Sequence, residues 1–237
     1  MIEAVFFDAG ETLLSPRPSW SELSAEVLRE RGHDVAVDSM RSAWRHTGQH
    51  FLAAADEGRT FSMSHEESKT FWTNLYVDLL DFLGVHDPDA PLVLYETFSD
   101  PENYDLFPDS LPTIEEFRRR GLKIGVISNF EGWLKVLLDR LGIRELFDVI
   151  AISGDLGWEK PDPRIFKWAM QEVGVDAPNS VHVGDSPHFD AIPAEEFGMH
   201  GVLLDRHDRW TDLEGDYPRI AGLGEMIELV DRLRTGG

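Results

Sequence analysis

The sequence predicts an α/β protein: a three-layer core around a parallel sheet, with an all-α segment inserted after the first strand. Two observations carry this prediction. The apolar run Ala4-Val5-Phe6-Phe7 stops at a carboxylate, Asp8, as a buried strand of a parallel sheet does at its carboxyl end. From Leu106 onward strand-like and helix-like runs alternate, the pattern of a parallel sheet with crossover helices, whereas residues 15–105 show helical periodicity alone.

After Leu14 the run Ser15-Pro16-Arg17-Pro18 forms a turn, and Ser19-Trp20-Ser21-Glu22 is a capping box that opens a first helix ending at Gly32. A second helix runs from about Asp38, with Met40, Ala43, Trp44, Thr47, Phe51 and Leu52 on one face. A third follows the capping box Ser64-His65-Glu66-Glu67 and stops at Gly84, and a shorter one spans Pro91 to Phe98. Residues 15–105 are therefore expected to form a compact helical insert without strands. It leaves the chain at a strand's carboxyl end, so it is placed to cover that edge as a lid. Its aromatic residues follow helical spacing and are expected to form its core.

The remaining strands are expected at Lys123–Ile127, Val149–Ile152, Ser180–Val183 and Val202–Leu204. Helices are expected near Pro112–Arg120, Trp133–Leu141, Pro163–Val173, Ala191–Phe197 and Glu225–Arg234. Pro163 in a first turn and Gly174 just past an end frame one of these. The charged, turn-rich segment Asp205–Gly222 reads as a surface loop.

Composition narrows the partners. The 237 residues carry 44 acidic against 22 basic side chains, a formal charge of -22 that repels polyanions and argues against nucleic acid or an anionic membrane as partner. Without cysteine there is no disulfide, thiol nucleophile or thiolate metal site. The N-terminus lacks the basic region of a signal peptide and no run is apolar enough to span a bilayer, so a cytoplasmic location is expected.

Parallel strands bring their carboxyl ends to one side, so the polar residues there converge: Asp8, Ser128-Asn129 and Gly184-Asp185, with Lys160 in a loop just ahead of a helix. A carboxylate nucleophile attacking phosphorus needs its own charge and the phosphate's charge screened by a hard cation on oxygen ligands. Asp8 and Asp185 suit one Mg2+. Ser128, Lys160 and the backbone N–H groups around Ala9 to Glu11 suit the phosphoryl oxygens.

These residues carry a resemblance to the haloacid dehalogenase-like hydrolase superfamily, in the subfamily with a helical cap inserted after the first strand. Its four motifs appear in order as Phe7-Asp8-Ala9-Gly10-Glu11-Thr12-Leu13, Val126-Ile127-Ser128-Asn129, Lys160-Pro161-Asp162-Pro163-Arg164-Ile165-Phe166, and Val183-Gly184-Asp185-Ser186-Pro187-His188-Phe189-Asp190. The resemblance implies a Rossmann-like core, residues 1–14 and 106–237, and a helical cap, residues 15–105. It further implies Asp8 as nucleophile, Ser128 on the phosphoryl oxygen, Lys160 stabilising charge, and Asp8, Asp185 and the Gly10 carbonyl on Mg2+. Asp190 would orient the metal site or Lys160, against the plainer reading of a helix N-cap. Asn129 is read equally as turn structure or substrate contact, Arg17 as a contact for an anionic substrate group, and His182 as core.

The sequence departs from the family at Gly10. Phosphatases of this superfamily usually carry there a second Asp that protonates the leaving oxygen, and a glycine where this chain has Glu11. Loss of a positioned acid typically costs about 10²- to 10⁴-fold in rate, so weak activity is expected, with Glu11 the nearest substitute. The leading expectation is a Mg2+-dependent phosphatase of a small phosphorylated metabolite. The alternatives are a metal-free 2-haloacid dehalogenase, against which Asp185 argues, and a non-catalytic relative that binds a phosphometabolite or a protein partner.

Overall fold

A computed structural model describes residues 1–211, 213 and 215–235. The chain divides into two compact units, Met1–Leu14 with everything from Leu106 onward, and Ser15–Asp105. Among the described residues eight strands are formed: β1 (Ala4–Phe7), β2 (Leu14–Pro16), β3 (Tyr104–Leu106), β4 (Lys123–Ser128), β5 (Val149–Ile152), β6 (Ser180–Gly184), β7 (His200–Leu204) and β8 (Arg219–Ile220). The helices are α1 (Trp20–Glu30), α2 (Val37–Asp56), α3 (His65–Leu83), α4 (Ala90–Phe98), α5 (Ser110–Arg119), α6 (Leu134–Arg140), α7 (Ser153–Leu156), α8 (Pro163–Val173), α9 (Ile192–Phe197) and α10 (Met226–Thr235).

The first unit is a Rossmann-like α/β core. Its six-stranded sheet has the order β5-β4-β1-β6-β7-β8, and every pairing is parallel. The central place falls to β1, whose four residues are all buried, with Val5 opposite Ile124 of β4 on one side and Val181 of β6 on the other. An unbroken apolar strand suits the interior of the sheet, since both faces of a parallel sheet are covered. Phe6, Ile127, Ile165, Phe166 and Met199 belong to the core cluster that packs α8 against the sheet. The start of α8 is set locally by Asp162, whose side chain accepts the Arg164 N–H, and by Pro163; Gly174 at φ 68° ends it.

The second unit is built from α1 to α4. Ser19 and Ser64 cap α1 and α3 by accepting the N–H of Glu22 and Glu67. Its core holds Leu28, Met40, Ala43, Leu79 and Leu94 with a group of aromatic rings, in which Trp20 stacks on Phe98 at 4.7 Å and Trp44 meets Tyr76 edge-on at 5.9 Å. Beyond the end of α1, Arg31 makes two hydrogen bonds, of 2.8 and 2.7 Å, to Asp87, and this contact holds the Asp87 carboxyl well below the usual range.

Three expectations need correction. Residues 15–105 were expected to lack strands, yet β2 and β3 pair as a two-stranded ribbon where the chain enters and leaves this segment. A short helical turn, α7, follows β5 where none was expected. The segment expected to be a loop, Asp205–Gly222, supplies an edge strand: Leu203 pairs with Arg219 and Leu204 with Ile220. Asp212 and Glu214 of that segment lie outside the described residues. Among the described residues no helix is long and apolar enough to cross a membrane.

Candidate active site

The site grows from the carboxyl ends of β1, β4 and β6, which the parallel register brings level with one another. Asp8, directly after β1, is 7 % exposed, and Ser128, the last residue of β4, is 1 % exposed. Ser128 Oγ donates to Asp8 Oδ1 at 2.9 Å, and Lys160 Nζ donates to the same oxygen at 2.8 Å. Asp8 Oδ2 has no hydrogen-bond partner among the described residues. Burial pushes the Asp8 carboxyl up, the Lys160 ammonium opposes it, and the Asp190 charge adds to the rise.

Lys160 is buried and bridges two acids, since its Nζ also donates to Asp190 Oδ1 at 2.5 Å. Burial works against its charge, but the Asp190 and Asp8 carboxylates prevail and raise its pKa. Its main chain is held by Asn129. The carboxamide Oδ1 accepts the Lys160 N–H at 2.6 Å, and Nδ2 donates to the Lys160 carbonyl at 2.8 Å. Asn129 therefore fastens the lysine loop to the end of β4.

Asp190 holds Lys160, one of the two parts the resemblance implied for it. The N-cap reading does not hold: Asp190 lies in a π turn, Pro187–Ala191, and α9 begins after Ala191 with no side-chain cap. Its carboxylate accepts from Lys160, from His182 Nε2 at 2.9 Å and from the Ser186 N–H at 3.1 Å. Against the upward push of burial, the Lys160 ammonium and the His182 bond hold its pKa down at about 2. His182 is core, fully buried in β6, and burial keeps its pKa low, so the neutral ring donates its Nε2–H to Asp190.

Asp185 follows β6, with a side chain 19 % exposed. Burial lifts its pKa to about 7, against the pull of the Arg209 guanidinium, which donates to Oδ2 at 2.6 Å. One carboxylate oxygen from each of Asp8, Asp185 and Asp190 lies within 4.8 Å of the others. Asp190 is already committed to three donors. Asp8 and Asp185 each keep one oxygen without a protein donor among the described residues, so a hard divalent cation fits these two carboxylates.

The remaining expected residues fall elsewhere. Gly10 follows Asp8 closely in the same loop and brings no side chain. Glu11 takes a left-handed backbone, φ 55°, and its Oε2 lies 3.8 Å from His207 Nε2. Arg17 belongs to the helical unit, where it lies 3.5 Å from Asp105 and donates to the Glu102 carbonyl. Sequence reasoning missed the segment Asp205–Trp210 after β7. Arg209 holds Asp185, and Trp210 Nε1 donates to the Asp185 carbonyl at 3.0 Å. Arg206 donates to both Asp109 oxygens and to the Thr12 carbonyl. The available signal was position: this segment leaves a parallel strand at the same rim as Asp8 and Asp185.

A parallel α/β core with a helical unit inserted after β1, and an aspartate–lysine–serine cluster at its strand ends, defines the class as a Rossmann-like α/β protein with a helical insertion and a carboxylate site at its sheet rim. The chain belongs to the haloacid dehalogenase-like hydrolases, whose family model matches residues 2–198. It is 34 % identical over 236 residues to haloacid dehalogenase-like hydrolase domain-containing protein 3 of Danio rerio, covering 97 % of this chain and 96 % of the relative. It is 31 % identical over 223 residues to a glyceraldehyde 3-phosphate phosphatase of Methanopyrus kandleri, covering 90 % and 88 %. Its fold is similar to that of the putative hydrolase YfnB from Bacillus subtilis, solved with magnesium bound, at a TM-score of 0.76, 17 % identity and coverage of 97 % and 99 %.

Proposed function

We propose that the protein is a Mg2+-dependent phosphatase of small phosphorylated metabolites that carries the phosphoryl group on Asp8. The observation that supports this most is the asymmetry at Asp8. Oδ1 is held by Ser128 and Lys160 beside the phosphoryl site, whereas Oδ2 has no protein partner among the described residues and is open to the divalent cation, so one carboxylate serves phosphorus with one oxygen and the metal with the other. Relatives named for glyceraldehyde 3-phosphate supply the substrate class.

Asp8 Oδ1 forms a bond to phosphorus as the bond to the leaving oxygen breaks, and the leaving oxygen takes a proton. Water then attacks the phosphorus of the acyl phosphate, loses a proton, and releases inorganic phosphate and the Asp8 carboxylate. Ser128 Oγ and Lys160 Nζ, already at the attacking carboxylate, donate to the phosphoryl oxygens as charge develops there. Asp190 and Asn129 hold Lys160 in place from its two ends. Asp8, Asp185 and the Gly10 carbonyl would hold Mg2+, which when bound screens the negative charge of the phosphate. Gly10 brings no acid for the leaving oxygen, and Glu11 is the nearest carboxylate in the chain, so turnover should be slow.

The test is hydrolysis of para-nitrophenyl phosphate. Turnover should require Mg2+, stop with a chelator, and fall at least about 10³-fold in Asp8→Asn. Turnover that survives the chelator, or persists in Asp8→Asn, overturns the mechanism. Halide release from 2-chloropropionate without metal would establish the dehalogenase reading in its place.

A further inference from the structure

Asp205 organises a tight turn after β7. Its carboxylate, 3 % exposed as a residue, accepts the N–H of Arg209 at 2.7 Å and of Trp210 at 3.0 Å. The turn passes through Asp208 at φ 52°. It is pinned at two points to the strand-end loops, by Trp210 Nε1 on the Asp185 carbonyl and by Arg206 on the Thr12 carbonyl and Asp109. A turn fastened in this way presents Arg209 to Asp185 Oδ2, at 2.6 Å, with the Glu11 and Asp205 carboxylates adding to the negative field around it. The Arg209 side chain is 42 % exposed, so it has solvent into which to withdraw.

We propose that Arg209 is a tethered cation that competes with the divalent metal for Asp185 and so sets the metal affinity of the site. This rests on Asp185 being a metal ligand, as proposed above. Around Arg209 lie the negative charges of Asp185, Glu11 and Asp205, while Lys160 stands between Asp8 and Asp190. Lys160 is locked between Asp8 and Asp190, so Arg209 is the cation able to leave. Its departure exposes a second carboxylate charge to the incoming metal, and while it stays it repels that metal at short range. Tethering by the Asp205 turn keeps the guanidinium at high local concentration, which makes it an effective competitor. A metal ion therefore binds by displacing an existing ion pair.

Calorimetric titration of the metal-free protein with Mn2+ tests this apart from turnover. Arg209→Met should bind Mn2+ about tenfold more tightly than the wild type, the effect of removing one charge-assisted hydrogen bond from the competing state. Arg209→Lys, which keeps the charge but lacks the planar fork, should fall between the two. The gain should vanish in the double variant Arg209→Met with Asp185→Asn. If Asp185→Asn abolishes wild-type binding while Arg209→Met leaves the affinity unchanged or weaker, Asp185 remains a metal ligand and the competition is overturned. If neither the wild type nor Arg209→Met binds Mn2+, or if Asp185→Asn leaves binding intact in both backgrounds, the metal reading and the competition fall together.

Discussion

At Gly10 a side-chain carbon would meet no heavy atom within 4 Å, and the backbone there lies outside the left-handed region. The next residue, Glu11, does take a left-handed backbone, at φ 55°, which costs a non-glycine residue about 1 kcal/mol. The loop thus carries a glycine where a side chain fits and a glutamate where a glycine would be relaxed. An aspartate at position 10 therefore has room to form, and Gly10→Asp should restore a proton donor for the leaving oxygen. The expected gain is about 10²-fold on an alkyl phosphate, whose alkoxide needs the proton. It should be much smaller on para-nitrophenyl phosphate, whose phenolate departs unprotonated. Steady-state kinetics on both substrates checks this, and an equal gain on the two, or none in a folded variant, counts against it. Gly10 was readable as a missing acid from sequence alone. The strain at Glu11 and its approach to His207 were not, because both depend on the backbone and on a segment nearly two hundred positions away.

The strands set the site through their ends, and β6 shows how tightly. A methyl group on Gly184, its last residue, would come within 2.1 Å of Asp190 Cγ and 2.3 Å of Oδ2. The Asp190 carboxylate is fixed by Lys160, His182 and the Ser186 N–H, so it has no easy retreat. Gly184→Ala should force it aside and loosen Lys160 from Asp8. Overpacking of this kind costs about 1–3 kcal/mol, so a melting temperature lower by roughly 3–10 °C is expected, with phosphatase turnover down at least about tenfold. A thermal melt and an assay on one sample decide it, and an unchanged melt with full activity would show that Asp190 is free to move. The sequence singled out Gly184-Asp185 for the aspartate. The glycine's part emerges only when the π turn folds Asp190 back onto the strand, a contact that strand periodicity does not encode.

Over the whole molecule a formal charge of -22 is compressed into a folded surface. Arg31–Asp87 in the helical unit and Arg206–Asp109 in the core relieve parts of it, but the excess of acid remains. Screening shortens from about 10 Å at 0.1 M salt to about 3 Å at 1 M, so self-repulsion should weaken and the melting temperature should rise with KCl. A series of melts from low salt to 1 M checks this. A melting temperature that falls with salt would mean that the surface ion pairs outweigh the repulsion.

The sequence by itself determined the parallel α/β core, the helical insertion between Leu14 and Leu106, and the convergence of Asp8, Ser128, Lys160 and Asp185 on one rim. Apolar periodicity, capping residues and strand ends are local signals, and a parallel sheet turns them into a shared edge. Tertiary structure alone decided which of those groups touch. It placed Lys160 between Asp8 and Asp190, turned Asn129 toward the Lys160 main chain, paired buried His182 with Asp190, and brought Arg209 onto Asp185. The physical reason is that these contacts join distant segments of the chain. Their geometry comes from the packing of the sheet and its loops, and no spacing along the sequence records it.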